Sequence, residues 1–223
     1  MLRGVIFDID GTLVASNEAH ARSWMQTLSE AGYDVPFDVI WPMIGMGGDK
    51  VLPAATGIDI ESAKGKALAA RRWEIFQSDY LNTLEPTPGA RSLVERIKSD
   101  GLMTIVATSA SGNELEPLLK AADVADLMDV TTSSSDAADS KPDPDIVTAA
   151  VRKSGLKPDE LIMLGDTPYD VQAAIGAHVN MVGLLCGGWT KEELSGAVAI
   201  YDDPGDLLRW YDASRFAIEA LAG

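Results

Sequence analysis

The sequence predicts a doubly wound α/β fold, a parallel sheet covered by helices, with an all-helical insertion after the first strand. Two observations carry this expectation. Short apolar runs alternate with helix-length amphipathic segments along most of the 223 residues, the pattern of parallel strands joined by crossover helices. The alternation is interrupted between Asn17 and Leu84, where helical stripes occur without a convincing strand.

In chain order, strands are expected at Val5 to Phe7, Met103 to Ala107, Ala125 to Thr131, Leu161 to Leu164, Met181 to Leu185 and Val198 to Tyr201. Helices are expected to open near Pro88, Asn113, Pro144 and Pro168, where proline or a polar capping residue precedes or opens an amphipathic stretch. Inside the insertion, Ala21, Trp24, Met25, Leu28 and Ala31 follow one helical stripe, and Ala69, Trp73, Phe76, Tyr80 and Leu84 another. Trp24, Trp73, Phe76 and Tyr80 are the expected core of that insertion. Residues 1–15 and 86–223 are expected to form the α/β core domain and 16–85 the helical domain. The connections would lie near Val14 to Asn17 and Glu85 to Gly89.

The formal net charge of −16 argues against nucleic acid or an anionic membrane as partner, since neither is attracted to so acidic a surface. An anionic substrate would need a locally positive site, which a metal ion and one placed lysine can supply. The single cysteine, Cys186, excludes an internal disulfide and fits a reducing compartment; its apolar setting predicts a buried side chain. No stretch is long enough to span a membrane, and the chain opens directly in a strand-like segment, so the expected location is the cytoplasm.

The first strand ends in Asp8-Ile9-Asp10-Gly11-Thr12-Leu13. On an extended chain, side chains at i and i+2 share a side, so Asp8 and Asp10 project into one small volume. Two carboxylates that close call for a cation or a shared proton, and Mg²⁺ is the expected occupant. A β-hairpin turn at Asp10-Gly11 is the ordinary alternative, but it leaves Asp8 as a charge at the end of a buried strand. Thr108-Ser109, Lys141-Pro142 and Gly165-Asp166 also fall where strand ends or the loops after them are expected. In a parallel sheet all converge on one edge.

Two aspartates, a hydroxyl, a lysine and another aspartate fit phosphoryl transfer through an aspartyl phosphate. Asp8 would attack phosphorus and Asp10 would exchange a proton with the leaving oxygen. Thr108 or Ser109 would bind a phosphoryl oxygen, and Lys141 would hold nucleophile and phosphate. Asp166 would complete the metal site, with Asp170 one helical turn later in support.

These motifs resemble the haloacid dehalogenase superfamily, specifically its phosphatases with a helical cap, the phosphoglycolate phosphatase and beta-phosphoglucomutase-like subgroup. The carriers are Asp8-Ile9-Asp10-Gly11-Thr12-Leu13, Thr108-Ser109, Lys141-Pro142-Asp143-Pro144-Asp145 and Gly165-Asp166-Thr167-Pro168-Tyr169-Asp170. The resemblance implies a Rossmann-like core with an inserted all-helical cap. By it, Asp8 is nucleophile and metal ligand, Asp10 is the acid and base whose main-chain carbonyl also binds metal, and Asp166 is the third ligand. Ser109 keeps the better spacing to the following helix, while Thr108 sits at the expected strand end. Ser140 stands where the family often has glycine.

Because Asp10 is present, hydrolysis of a small phosphorylated metabolite leads. A phosphosugar mutase on the same scaffold is the second reading, with Lys50, Arg71 and Arg72 as candidates for holding a second phosphate. A non-catalytic phosphate-binding or phosphoacceptor protein is the third. In the insertion, His20 is placed near the substrate or, equally, as an ordinary helix residue, and Asn17 as a helix cap. Gly47, Gly48 and Lys50 belong to a glycine-rich loop, Ile44 to Lys50, that resembles the family's specificity loop.

Overall fold

The computed structural model describes residues 1–217. Six parallel strands form one sheet in the order β3-β2-β1-β4-β5-β6. They are β1 (Gly4–Phe7), β2 (Met103–Ala107), β3 (Val130–Thr132), β4 (Leu161–Gly165), β5 (Asn180–Leu184) and β6 (Ala199–Tyr201). The order reverses at β1, which pairs with β2 on one side and β4 on the other. In such sheets ligands bind outside the strand carboxyl ends at the switch point.

Between β1 and β2 run α1 (Asn17–Glu30), α2 (Phe37–Ile40), α3 (Gly48–Thr56) and α4 (Ala63–Ile75), followed by a π turn over Phe76–Tyr80. Further helices are α5 (Ala90–Ser99), α6 (Gly112–Ala121), α7 (Asp145–Ser154), α8 (Pro168–Gly176) and α9 (Pro204–Arg209). Alternating strand residues explain how both sheet faces are covered. Val5 and Phe7 pack with Leu93 and Ile97 of α5 and Leu118 of α6. Ile6 packs on the opposite face with Ile146 and Val147 of α7 and Ala173 of α8. Burying each such side chain contributes roughly 1.5–3 kcal/mol.

Two expectations about the elements need correction. Of the run Ala125 to Thr131 only Val130 and Thr131 are in strand, within Val130–Thr132; Ala125–Leu127 is a 3-10 turn. Charge decides this: Arg91 grips both carboxylate oxygens of Asp126, and Asp129 accepts from the backbone N–H and hydroxyl of Thr104, tying the segment to the start of β2. The aromatic stripe also divides. Trp24 belongs to a separate apolar cluster with Leu28, Ile40, Leu52 and Leu68 inside the insertion. Phe76, with Trp73 stacked on it and Tyr80 tilted against it, packs into the cluster beneath the sheet. The π turn after α4 thereby joins the insertion to the sheet domain.

The two connections to the insertion run side by side. Val14 forms a bridge with Pro86, Ala15 N–H donates to the Glu85 carbonyl, and Thr87 donates to the carbonyls of Leu13 and Thr12. Cys186 lies in a 3-10 turn after β5 and is exposed rather than buried, its thiol donating to the Gly11 carbonyl. Among the described residues no helix is long and apolar enough to cross a membrane.

Candidate active site

Register places the first-strand carboxylate at the centre. Phe7 pairs with Val106 of β2 and Leu164 of β4. Asp8 is therefore the first residue beyond the ladder, beside the ends of both neighbours. Lys141, on the loop after β3, donates to Asp8 Oδ1 at 2.5 Å and pairs with Asp170 Oδ1 at 2.7 Å. Lys141 and Asp166 have no exposed surface, and Asp8 and Asp170 are almost fully enclosed. Ligand oxygens of Asp8, Asp166 and Asp170 lie within 4.8 Å of one another.

Local sequence explains why these groups hold their places. Asp170 completes a capping box at the start of α8, accepting from the backbone N–H of Thr167 while Thr167 Oγ1 accepts from Asp170 N–H. Asp166 accepts from Thr12 Oγ1 at 2.8 Å and from Asn17 Nδ2 at 2.9 Å. Asn17 is thus no helix cap; its amide also reaches the Gly187 carbonyl and braces Asp166. Gly11 (φ +74°) and Gly187 pack directly against Asp166, and a Cβ at either would collide with its Oδ2.

Three carboxylates face one ammonium. Burial, reinforced by Asp170 and Asp10 and opposed by Lys141, pushes Asp8 up to about 8. Burial, with Asp170 and Asp8, likewise raises Asp166 well above the usual carboxylate range. Burial works to lower Lys141, but Asp170 and Asp8 outweigh it and hold the lysine above its ordinary value. The excess of enclosed hard oxygen donors over positive charge fits a divalent cation of the Mg²⁺ type.

Asp10 faces the other way, toward the insertion. Ser16 Oγ donates to its Oδ1 at 2.5 Å and His20 Nε2 contacts the same oxygen at 2.7 Å. Arg72 Nη1 lies 3.2 Å from His20 Nδ1. A guanidinium can only donate, so Nδ1 accepts and Nε2 carries the hydrogen directed at Asp10. Although burial opposes it, His20 and the Ser16 hydrogen bond hold Asp10 below the usual carboxylate range.

Asp8, Asp10, His20, Gly47, Gly48, Thr108 and Ser109 line a cavity of about 60 Å³, with Lys141, Asp166 and Asp170 against Asp8. Thr108 Oγ1 accepts from Ala110 N–H. Ser109 Oγ is buried without a hydrogen-bond partner among the described residues. Lys50 is not among the lining residues: its ammonium pairs with Asp139 at 2.7 Å and Asp143 at 2.9 Å. Those hydrogen bonds hold Lys50 above its ordinary range. Ser140 accepts from Gly47 N–H and donates to Asp49 Oδ1, joining the lysine loop to the glycine loop.

Arg72 and Glu114, both lining the cavity, are functional candidates beyond those read from the sequence, where Arg72 figured only as a mutase cation. Arg72 ion-pairs with Glu114 across the boundary between α4 and α6. Their signal is present in the chain: Arg72 occupies the helical register of Leu68 and Ile75, and Glu114 that of Leu118, all buried. A charge at an apolar register demands a partner.

Fold and site together define a hydrolase of the phosphatase type built on a doubly wound parallel sheet. The chain belongs to the haloacid dehalogenase-like hydrolase family, whose model matches residues 5–184. It is 31% identical to a phosphoglycolate phosphatase of Rhodospirillum rubrum over 94% of this chain and 91% of that protein. A solved hydrolase from Pseudomonas syringae superimposes with a TM-score of 0.87 at 30% identity, covering 95% of this chain and 98% of that one. The CbbY protein of Rhodobacter sphaeroides, solved in complex with phosphate, superimposes with a TM-score of 0.79 at 25% identity, over 93% and 96% of the two chains.

Proposed function

We propose that the protein is a Mg²⁺-dependent hydrolase of small phosphomonoesters, such as phosphoglycolate or a sugar phosphate, acting through an aspartyl phosphate. The observation that carries this is Asp8, enclosed between Lys141 and the strand end, with the unpartnered Ser109 hydroxyl lining the same cavity. Residues 16–85 act as the cap and the remainder as the core, which the paired connections at Val14 and Pro86 support. A cytoplasmic setting suits a soluble metabolite and an unpaired cysteine.

In this reading an Asp8 carboxylate oxygen attacks phosphorus and the ester P–O bond breaks. Asp10 takes up a proton as the phosphomonoester enters, against the pull of His20 and Ser16, delivers it to the departing alkoxide, and regains one from the water that attacks the aspartyl phosphate. Lys141 favours the anionic form of Asp8 against burial and orients it, and Ser109 donates to a phosphoryl oxygen. Asp8, Asp166 and the Asp10 carbonyl would hold Mg²⁺, with Asp170 behind them; the ion supplies positive charge against the negative charge of nucleophile and phosphate. Its countercharge also answers the raised proton affinity of Asp8 and Asp166.

The mutase reading is the weaker one. Lys50, Arg71 and Arg72 are each engaged by carboxylates: Asp139 and Asp143, Glu30 and Glu74, and Glu114.

Phosphate release from a panel of two-carbon, three-carbon and hexose phosphates tests the proposal. Turnover should vanish with excess chelator and return with Mg²⁺; no release from any member, or isomerised sugar phosphate without free phosphate, would defeat it. Ser109→Ala should lower kcat/KM about 10- to 100-fold, the loss of one hydrogen bond to a charged group. Thr108→Val should act mainly on stability, by about 1 kcal/mol, because its hydroxyl accepts an internal N–H. Steady-state kinetics and thermal melts of the pair separate the roles; the reverse pattern would assign phosphoryl binding to Thr108.

A further inference from the structure

Arg72 and Glu114 form the wall between two spaces. Both line the inner cavity of about 60 Å³ that holds Asp8, and both line an outer cleft of about 650 Å³ between the insertion and the sheet domain. The pair is nearly closed to solvent, at 8% and 4% exposure. A substrate that extends from the reacting phosphate toward the cleft passes this pair, together with Trp24, Gly48 and Ser109, which also line both spaces.

The charge available there is already spent. Among the described residues, Arg72 is the single lysine or arginine lining either space. It is held by Glu114, and its guanidinium lies over the rings of Trp24, Trp73 and Phe76. The outer cleft adds more carboxylates, Asp49, Glu74 and Asp139 among them. A substrate bearing a carboxylate or a second phosphate would have to take Arg72 from Glu114, leaving a buried carboxylate unpaired beside an incoming anion. A guanidinium next to a carboxylate instead offers donors and acceptors together, the complement of neighbouring hydroxyls.

We propose that the Arg72–Glu114 pair is a specificity filter that selects phosphomonoesters with an uncharged, hydroxyl-bearing leaving group and rejects those carrying a second anionic group. This rests on the phosphatase reading above and narrows it, placing a polyol or sugar monophosphate ahead of phosphoglycolate. Glu114 is the discriminating residue, because it neutralises the one cation a second anion could use.

The test is phosphate release by the full chain with Mg²⁺, comparing glycerol phosphate and hexose monophosphates with phosphoglycolate and a hexose bisphosphate. The wild type should favour the uncharged leaving groups by at least tenfold in kcat/KM. Glu114→Gln, which keeps shape and frees Arg72, should shift that ratio toward phosphoglycolate by tenfold or more, chiefly through a lower KM. A wild type that prefers phosphoglycolate overturns the filter, as does a ratio unmoved in Glu114→Gln; either leaves the phosphatase reading standing. Release from no compound defeats both. Should Glu114→Gln not fold, the wild-type preference decides alone.

Discussion

Asp8→Asn is expected to reduce kcat/KM for every substrate by on the order of 10⁴-fold or more, the usual scale for loss of a nucleophile. The amide has the carboxylate's shape but a far weaker nucleophilic oxygen, and it cannot carry the negative charge that pairs with Lys141. The fold should survive. Losing one partner of a buried ion pair is ordinarily costly, by about 3–5 kcal/mol, because the other charge is stranded. Here Lys141 keeps Asp170 at 2.7 Å, and removing one of three crowded carboxylates relieves like-charge repulsion. The metal-free melting temperature of the variant near neutral pH should therefore match or exceed that of the wild type. Phosphate release and thermal melts check the two halves separately. Activity within tenfold of wild type would remove Asp8 from the nucleophile's role, and a melting temperature lowered by ten degrees or more would recast it as a structural group.

Much of the fold is legible in the chain because a parallel strand buried on both faces needs a continuous apolar run, and a crossover helix needs a stripe. Val5 to Phe7, Met103 to Ala107 and Leu161 to Leu164 lie inside observed strands for that reason. The segment Ala125 to Thr131 is apolar enough to pass for strand, yet Arg91 and Thr104, distant in sequence, hold its aspartates in a turn. No local pattern reports such partners. Phe76 and Tyr80 share a stripe with Ala69, but a π turn between helix and loop rotates them under the sheet.

The chemical centre was legible for a different reason: strand-end residues of a parallel sheet must converge, so Asp8, Thr108, Ser109 and Asp166 could be gathered from spacing alone. Residues that reach the site from the insertion obey no such rule. Lys50, adjacent to three glycines, looked available for an anion, but Asp139 and Asp143 across the boundary consume its charge. Arg72 and Glu114 stand at apolar registers of their helices, but which partner each takes is decided only where the two helices meet. Asn17 shows the same gap, since its partner Asp166 lies 149 residues away.

The largest stability effect expected is a fall in the metal-free protein's stability with rising pH, abolished by Mg²⁺. Burial raises Asp8 from 3.8 to about 8 and raises Asp166 in the same direction. The folded state therefore binds protons that the unfolded chain releases. For a group raised on folding, the stabilising contribution is complete below its unfolded value and is lost as pH climbs through its folded value. The window for Asp8 thus runs from about 4 to about 8. Asp10, held below its usual range, contributes in the opposite sense, its share being lost only on acidification past that range. Without metal, the melting temperature should drop by several degrees between about pH 5 and pH 8. Mg²⁺ takes the place of the protons, so it should stabilise little near pH 5 and strongly near pH 8. Calorimetric titrations in two buffers near pH 6.5 should detect protons released as the ion binds. A metal-free melting temperature that stays flat or rises toward pH 8, or a Mg²⁺ effect equal at both pH values, would mean that Asp8 and Asp166 do not hold the ion.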